Sequence, residues 1–227
     1  MNKNIESIGF IVDGNRRWAV ENNLNKLDGH KYGFDRVVDV IKWATDLDIK
    51  QVCFYIFSTE NWNRAPLEVK TLMTLFETQF AKFDQAAKDV NAKIKFVGRR
   101  SDFSAKLQKL MIEVEAKTEN NTGIEVFFAA SYGGRAEIID AIKQIPTNEV
   151  DQISELTLEK YLWTANLHDP EIIIRTGGDK RLSNFLMWKS SYAELYFIET
   201  KWPDFSRNEF ENILADYQTK VRLNKGK

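Results

Sequence analysis

The sequence predicts an α/β fold, a single domain over residues 1–227 with a mainly parallel sheet surrounded by helices. Three observations carry this. Short β-rich runs recur along the chain, most of them continuously apolar rather than alternating, as strands covered on both faces require. Stretches with apolar residues at helical spacing separate them, and strands alternating with helices imply right-handed βαβ units. A chain of 227 residues also suits one generous domain, long enough to bury a large core without disulfide staples.

Six runs read as strands: Ile8–Val12, Val52–Phe57, Ile94–Val97, Ile124–Ala130, Ile172–Ile174 and Leu195–Ile198. Between the first two, Phe34, Val37, Val38 and Ile41 recur at i, i+3, i+4, i+7, and Val40, Trp43 and Leu47 form a second stripe. Leu72, Phe76, Phe80 and Phe83 mark a longer helix that begins near Pro66. Leu107, Leu110, Met111 and Val114 mark another, Ile138, Ile139 and Ile142 a fourth, and Phe210–Tyr217 reads as the last. Pro146–Ser154 is polar and unpatterned, a surface loop rather than a linker.

Composition excludes several function classes. Lys and Arg number 32 against 33 Asp and Glu, for a net charge of −1. Partners such as nucleic acid or an anionic membrane need a basic excess that is missing. One cysteine, Cys53, rules out a disulfide framework and a cysteine zinc site, and His30 and His168 are too few for a histidine metal centre. No apolar run approaches the ~20 residues of a membrane span. Met1–Ser7 is polar and has no signal-peptide core, so a soluble, cytoplasmic protein is expected.

In an open parallel sheet the ligand crevice lies outside the carboxyl ends of the strands. Eight of the eleven arginines (Arg16, Arg17, Arg64, Arg99, Arg100, Arg135, Arg175 and Arg181) fall in the segments that follow the strands. Solvated surface arginines would explain any one of them, but not eight in corresponding places. The guanidinium fork suits bidentate capture of phosphate oxygens, and glycine-flanked turns add backbone N–H groups. A polyphosphate ligand follows. The G-x-x-x-x-G-K-[ST] and G-x-G-x-x-G loops are absent, and so is any Asp-Asp pair. Asp13 stands at the mouth of the first strand, where one or two acids and several waters would hold Mg²⁺ against phosphates, and Glu194 is a candidate second acid. Two helices with more apolar surface than one sheet face can cover would wall a greasy slot beside the arginines. A charged head with an apolar tail fits that combination.

These segments resemble the cis-prenyltransferases, the isoprenyl transferases of the undecaprenyl diphosphate synthase type. The matching pieces are DGNRRW (13–18), GHKYG (29–33), FSTENWNR (57–64), Glu68, SYGGR (131–135), RTGGDKRLSNF (175–185), YAELYF (192–197) and WPDF (202–205), in the family's order over roughly the first 205 residues. The resemblance implies a six-stranded parallel sheet, usually in a homodimer, and Mg²⁺-dependent condensation of an allylic diphosphate with isopentenyl diphosphate to form a cis double bond. Asp13 would hold Mg²⁺ and assist departure of the allylic diphosphate, which Gly14, Asn15, Arg16 and Arg17 would cradle. Trp18 would pack beside it and His30 would hydrogen-bond it. Ser58, Thr59 and Glu60 match a substrate-contacting stretch that Trp62 and Arg64 continue. Asn61 matches the position assigned to proton removal; an amide is a poor base, so an orienting role is expected, with released diphosphate or water taking the proton. Arg175 and the Arg181-Leu182-Ser183 run would bind isopentenyl diphosphate, and Glu194 would complete its Mg²⁺ site near the dimer interface.

Three positions depart from the family pattern. Lys26 replaces the usual arginine at the allylic diphosphate, keeping the charge without the fork. The proline after the ENWNR segment comes one position late, at Pro66. Ile56 occupies a position where long-chain members commonly have alanine, which implies a shorter product, with Phe127 or Phe128 narrowing the slot further. The alternatives are a long-chain undecaprenyl diphosphate synthase, an irregular head-to-middle coupling enzyme, a non-catalytic accessory subunit that binds prenyl diphosphate, and a generic phosphohydrolase. Intact DGN and ENWNR segments argue against irregular coupling. Asp13, Arg175, Arg181 and Ser183 argue against an accessory subunit, and the lack of a D-x-D partner for Asp13 argues against the hydrolase. No nucleic-acid partner is expected, and at most peripheral membrane contact through the product.

Overall fold

Strand β1 (Ser7–Ile11) is buried along its whole length and sits inside the sheet, between β2 (Gln51–Ser58) and β5 (Ile172–Arg175). The structure, a computed structural model, describes residues 5–224; the side chains of 81, 82, 84–86 and 221–224 are not among those described. With β3 (Lys93–Val97), β4 (Glu125–Tyr132) and β6 (Glu194–Phe197) the sheet has six strands in the order β3-β4-β2-β1-β5-β6. All five pairings are parallel. The strands expected from sequence are all present, with ends shifted by a residue or two. The chain runs from β1 toward β2, β4 and β3 on one side and to β5 and β6 on the other. That reversal of direction opens a crevice above the carboxyl ends of β1, β2 and β5.

Helices α1 (Asn15–Glu21) and α2 (Asp28–Asp46) follow β1, and α3 (Pro66–Asp89) follows β2. Next come α4 (Ala105–Thr118), α5 (Gly134–Gln144), the short α6 (Glu155–Glu159) and α7 (Arg207–Asn224). Neither α1 nor α6 has a hydrophobic stripe long enough to show in the sequence. Residues Pro146–Ser154 are exposed, as expected of a loop, and include a 3-10 turn over Thr147–Gln152. The packed face of α5 is Ile138 and Ala141, joined by Ile145 just beyond its end. Ile139 and Ile142 instead remain 52 % and 47 % exposed, so the apolar triplet read there is not one stripe.

Alternate strand residues point to opposite faces, and both faces of the inner strands are covered, which is why those strands read as nearly continuous apolar runs; edge strands β3 and β6 keep half-exposed positions. Phe10 stacks on Phe54 at 5.1 Å, and Phe54 on Phe128 at 6.0 Å, under Phe80 and Phe83 of α3. Cys53, Phe127, Ile173, Phe185 and Leu186 fill the other side. Each such buried side chain contributes about 1.5–3 kcal/mol of apolar transfer. Phe128 is thus the strand-four phenylalanine on the α2–α3 side, but neither it nor Phe127 lines the crevice.

Candidate active site

The crevice is a cavity of about 1070 Å³. Its mouth is lined by Asp13, Arg16, Arg17, Lys26, His30, Arg64, Arg175 and Arg181, and its depth by Phe34, Val37, Ile56, Leu72 and Phe76. One end therefore suits an anion and the other a hydrocarbon, the amphiphile expected from the sequence. At Ile56 the β2–β4 register slips, Tyr55 facing Ala129 and Phe57 facing Ala130. Ile56 is the extra residue of a bulge, and the bulge turns its half-buried side chain onto the cavity wall.

Asp13 is fixed through its backbone and its carboxylate. Its carbonyl accepts hydrogen bonds from Thr176 Oγ1 at 2.7 Å and from the Trp202 backbone N–H at 3.0 Å. Arg175 Nη2 donates to Oδ2 at 2.8 Å, the Gly14 N–H donates to Oδ1 at 2.6 Å, and Arg17 Nη2 lies 3.3 Å away. Burial works to raise the Asp13 pKa, but the Arg175 bond, the Gly14 N–H and the two guanidinium charges outweigh it, so the pKa is lowered. Gly14 adopts φ +101°, and a Cβ there would meet Lys201 at 2.9 Å, so this turn requires glycine. Asn15 is buried beneath it, donating to the Val12 carbonyl at 2.9 Å.

Ion pairs and burial then tie the rim together. Glu68 pairs with Arg16 at 3.1 Å and Arg64 at 2.9 Å, joining α1 to the start of α3. His30 has no partner for Nε2. Burial, helped by the charges of Arg64 and Arg16 against that of Glu68, lowers its pKa to about 4 and keeps it neutral. Ser58 leads into a 3-10 turn, Thr59–Asn63, none of whose residues is buried. The Ser58 N–H donates to Asn61 Oδ1 at 3.1 Å, so that oxygen is already engaged and unsuited to taking a proton.

The loop after β5 is built around Arg175, only 4 % exposed. Its Nη1 donates to the Arg181 carbonyl at 2.6 Å and to Ser183 Oγ at 2.7 Å. Most of its donors are thus spent on protein atoms, and Nε is buried with no partner. Arg181 is 61 % exposed on its side chain and held in a fork by Asp179 at 2.9 and 3.1 Å.

Several expected residues lie off the cavity wall. Trp18 turns away, its ring against Tyr32 and its indole N–H donating to Asp204 at 2.7 Å. Trp62 packs on Phe57 and Phe103 and donates to Ser131 Oγ at 2.8 Å. Thr59 and Leu182 border the site without lining it. Glu194 is not brought to Asp13 within this chain. The register sets Glu194 opposite Ile172, and Ile172 opposite Ile8, at the amino ends of the strands. That is about 16 Å along the strand direction from Asp13.

Among the wall residues that sequence reasoning left without a role are Tyr55, Asp179, Asn184 and Trp202. Asp179 was legible, an acid between two arginines of one loop. Its Oδ2 lies 3.5 Å from Arg175 and 3.8 Å from Arg17, so it shares both arginines with Asp13. No group of three or more His, Cys, Asp or Glu able to hold a metal occurs among the described residues. The donor set nevertheless fits Mg²⁺, which takes one or two carboxylates and completes its shell with phosphates and water.

Comparison with known proteins agrees with this geometry. A family model described as putative undecaprenyl diphosphate synthase matches residues 11–224. A ditrans,polycis-undecaprenyl-diphosphate synthase of Micrococcus luteus, specific for (2E,6E)-farnesyl diphosphate, is 39 % identical over 95 % of this chain and 89 % of its own. A tritrans,polycis-undecaprenyl-diphosphate synthase of Methanopyrus kandleri, specific for geranylgeranyl diphosphate, is 38 % identical over 96 % of this chain and 83 % of its own. Among solved structures, lavandulyl diphosphate synthase from Lavandula x intermedia in complex with dimethylallyl diphosphate superposes with a TM-score of 0.90 at 28 % identity, covering 95 % of each chain. A probable undecaprenyl diphosphate synthase from Campylobacter jejuni gives 0.80 at 28 % identity, covering 96 % of each.

Proposed function

Because the chain belongs to the undecaprenyl diphosphate synthase family of prenyltransferases, we propose how its crevice works and which product it makes. The enzyme is a cis-prenyltransferase that condenses an allylic prenyl diphosphate with isopentenyl diphosphate. One observation carries the reading: a single cavity joins an arginine-lined mouth to an apolar depth.

In the proposed mechanism Arg16, Arg17, Lys26 and neutral His30 hold the allylic diphosphate beside Asp13, with the Gly14 and Asn15 backbone closing the cradle and its tail entering the apolar depth. Arg175, Arg181 and Ser183 hold isopentenyl diphosphate, with Leu182 as a backbone spacer. The carbon–carbon bond forms as the allylic diphosphate leaves with its electron pair, and the proton lost from the isopentenyl unit passes to the released diphosphate or water. Asn61 orients that unit, Ser58, Thr59 and Glu60 shape the turn, and Trp62 and Arg64 pin it. Asp13 and Asp179 would hold Mg²⁺, which when bound neutralises charge on the departing diphosphate. Glu194 could serve that ion only from a second copy, consistent with a homodimer; Leu195 on edge strand β6 and nearby Tyr192 are 40 % and 95 % exposed.

The proposed product is short for the family, because Ile56 narrows a wall that the Phe34–Phe76 pair already closes at 5.8 Å. One domain over 1–227 carries the activity, and the cytoplasm is the proposed location. No helix among the described residues is long and apolar enough to cross a membrane. The test is incubation of purified protein with Mg²⁺, isopentenyl diphosphate and a panel of allylic primers. A ladder of lengthening products is expected, and release of phosphate without chain growth would refute the reading.

A further inference from the structure

Two loops must be in register for condensation, the Arg175–Ser183 loop and the turn that carries Asn61. The turn has no buried residue of its own to set its position. Trp62 moors one end of it. The other end meets Asn184, the residue directly after Ser183. Asn184 Nδ2 donates to Glu60 Oε1 at 2.9 Å, while Oδ1 accepts the Arg135 N–H at 2.9 Å and the Asn184 carbonyl accepts the Gly134 N–H at 2.7 Å. Three elements therefore converge on one amide: the turn after β2, the start of α5 and the loop after β5. Ser183 and Asn184 both adopt left-handed backbone, φ +50° and +68°, which fixes the direction of the two side chains. Gly133 completes the junction, since a Cβ there would lie 2.5 Å from Thr59 Oγ1 and 2.8 Å from Asn184 Nδ2.

We propose that Asn184 is a positioning residue that locks the Asn61 turn to the isopentenyl diphosphate loop, so that occupancy of that loop sets the turn for reaction. This rests on the prenyltransferase reading above. The amide accepts from a backbone N–H and donates to a carboxylate at once; Asp lacks the donor and Ala lacks both halves. Arg175 holds Ser183 Oγ independently of Glu60, so the loop keeps its own shape when the link to the turn is cut.

Asn184→Asp separates the two halves. It is isosteric, tolerates the left-handed backbone and keeps the acceptor for Arg135, but it sets a carboxylate against Glu60. Gly133→Ala is the second variant; it wedges the junction without changing a polar group. Each is assayed for kcat and for KM of both diphosphates. Hydrogen exchange over residues 58–64 is followed with and without isopentenyl diphosphate. The expected result is a kcat loss of about ten- to a hundredfold, the effect of one hydrogen bond to a charged acceptor. KM for isopentenyl diphosphate should stay within about twofold, and protection of 58–64 by that ligand should vanish. Wild-type protection in both variants, or a KM rise that matches the kcat loss, would overturn the role of Asn184 alone. If the wild-type chain fails to bind isopentenyl diphosphate at all, the assignment of the site falls and this inference with it.

Discussion

Replacing Ile56 by alanine tests the link between sequence, cavity shape and product. Isoleucine carries three more carbons than alanine, and at about 0.8 kcal/mol per fully buried methylene their loss would cost about 2.4 kcal/mol. Ile56 is half-buried on the wall of an existing cavity, so the removed volume joins open space instead of leaving a sealed void. The expected cost is about 1 kcal/mol, a fall in Tm of roughly 2–4 °C for a chain of this size. The effect on product should be larger. Burying a further five-carbon unit yields up to about 4 kcal/mol of apolar transfer, so a wall that blocks or admits one unit decides where growth stops. With limiting allylic primer and excess labelled isopentenyl diphosphate, extracted products should shift upward by at least one isoprene unit. Ile56→Leu, of equal volume, should leave the ladder in place. An unchanged ladder in Ile56→Ala would refute the reasoning. So would a wild-type product already as long as that of an undecaprenyl diphosphate synthase, and either result would return Ile56 to plain packing.

Three further outcomes are expected. Asp13→Ala should abolish turnover; Arg175 loses its nearest carboxylate but keeps Asp179 at 3.5 Å, so the stability cost stays near 1–2 kcal/mol, roughly 2–8 °C in a melting scan. EDTA-sensitive turnover at the wild-type rate in this variant would contradict the role of Asp13. Arg181→Ala should raise KM for isopentenyl diphosphate by about ten- to a hundredfold and Arg17→Ala should do so for the allylic primer; equal effects on both would mean the halves of the crevice are misassigned. His30 should titrate near pH 4 by NMR, its signal assigned by its loss in His30→Gln. Its folded pKa lies below the unfolded 6.5, so the unfolded chain binds more protons between the two values. Stability should then fall by up to about 3 kcal/mol as pH drops from 6.5 to 4, and an unchanged acid limb in the variant would contradict it.

The sequence alone was enough to specify the sheet and the chemistry at its mouth. The inner strands are buried on both faces and show as nearly continuous apolar runs, while edge strands β3 and β6 keep half-exposed positions. Of the eight arginines after the strands, Arg16, Arg17, Arg64, Arg175 and Arg181 line the crevice; Arg99 and Arg100 pair instead with Asp140 and Glu115, and Arg135 lies off its wall. Helices α1 and α6 escaped notice because neither is long enough to repeat a buried stripe. Tertiary structure decided what depends on register and on distance across the fold. A slipped pair between β2 and β4 aims Ile56 at the cavity, and pattern alone cannot show a slip. Glu194 sits in a motif beside other site residues, yet parallel pairing carries it to the far end of the sheet from Asp13. Asp179 stands out in the sequence only as an acid between two loop arginines, and Asn184 looks like an ordinary loop residue. Their partners Arg17 and Glu60 lie more than a hundred positions away, and only the crossing of the chain at β1 brings them within hydrogen-bond or ion-pair reach.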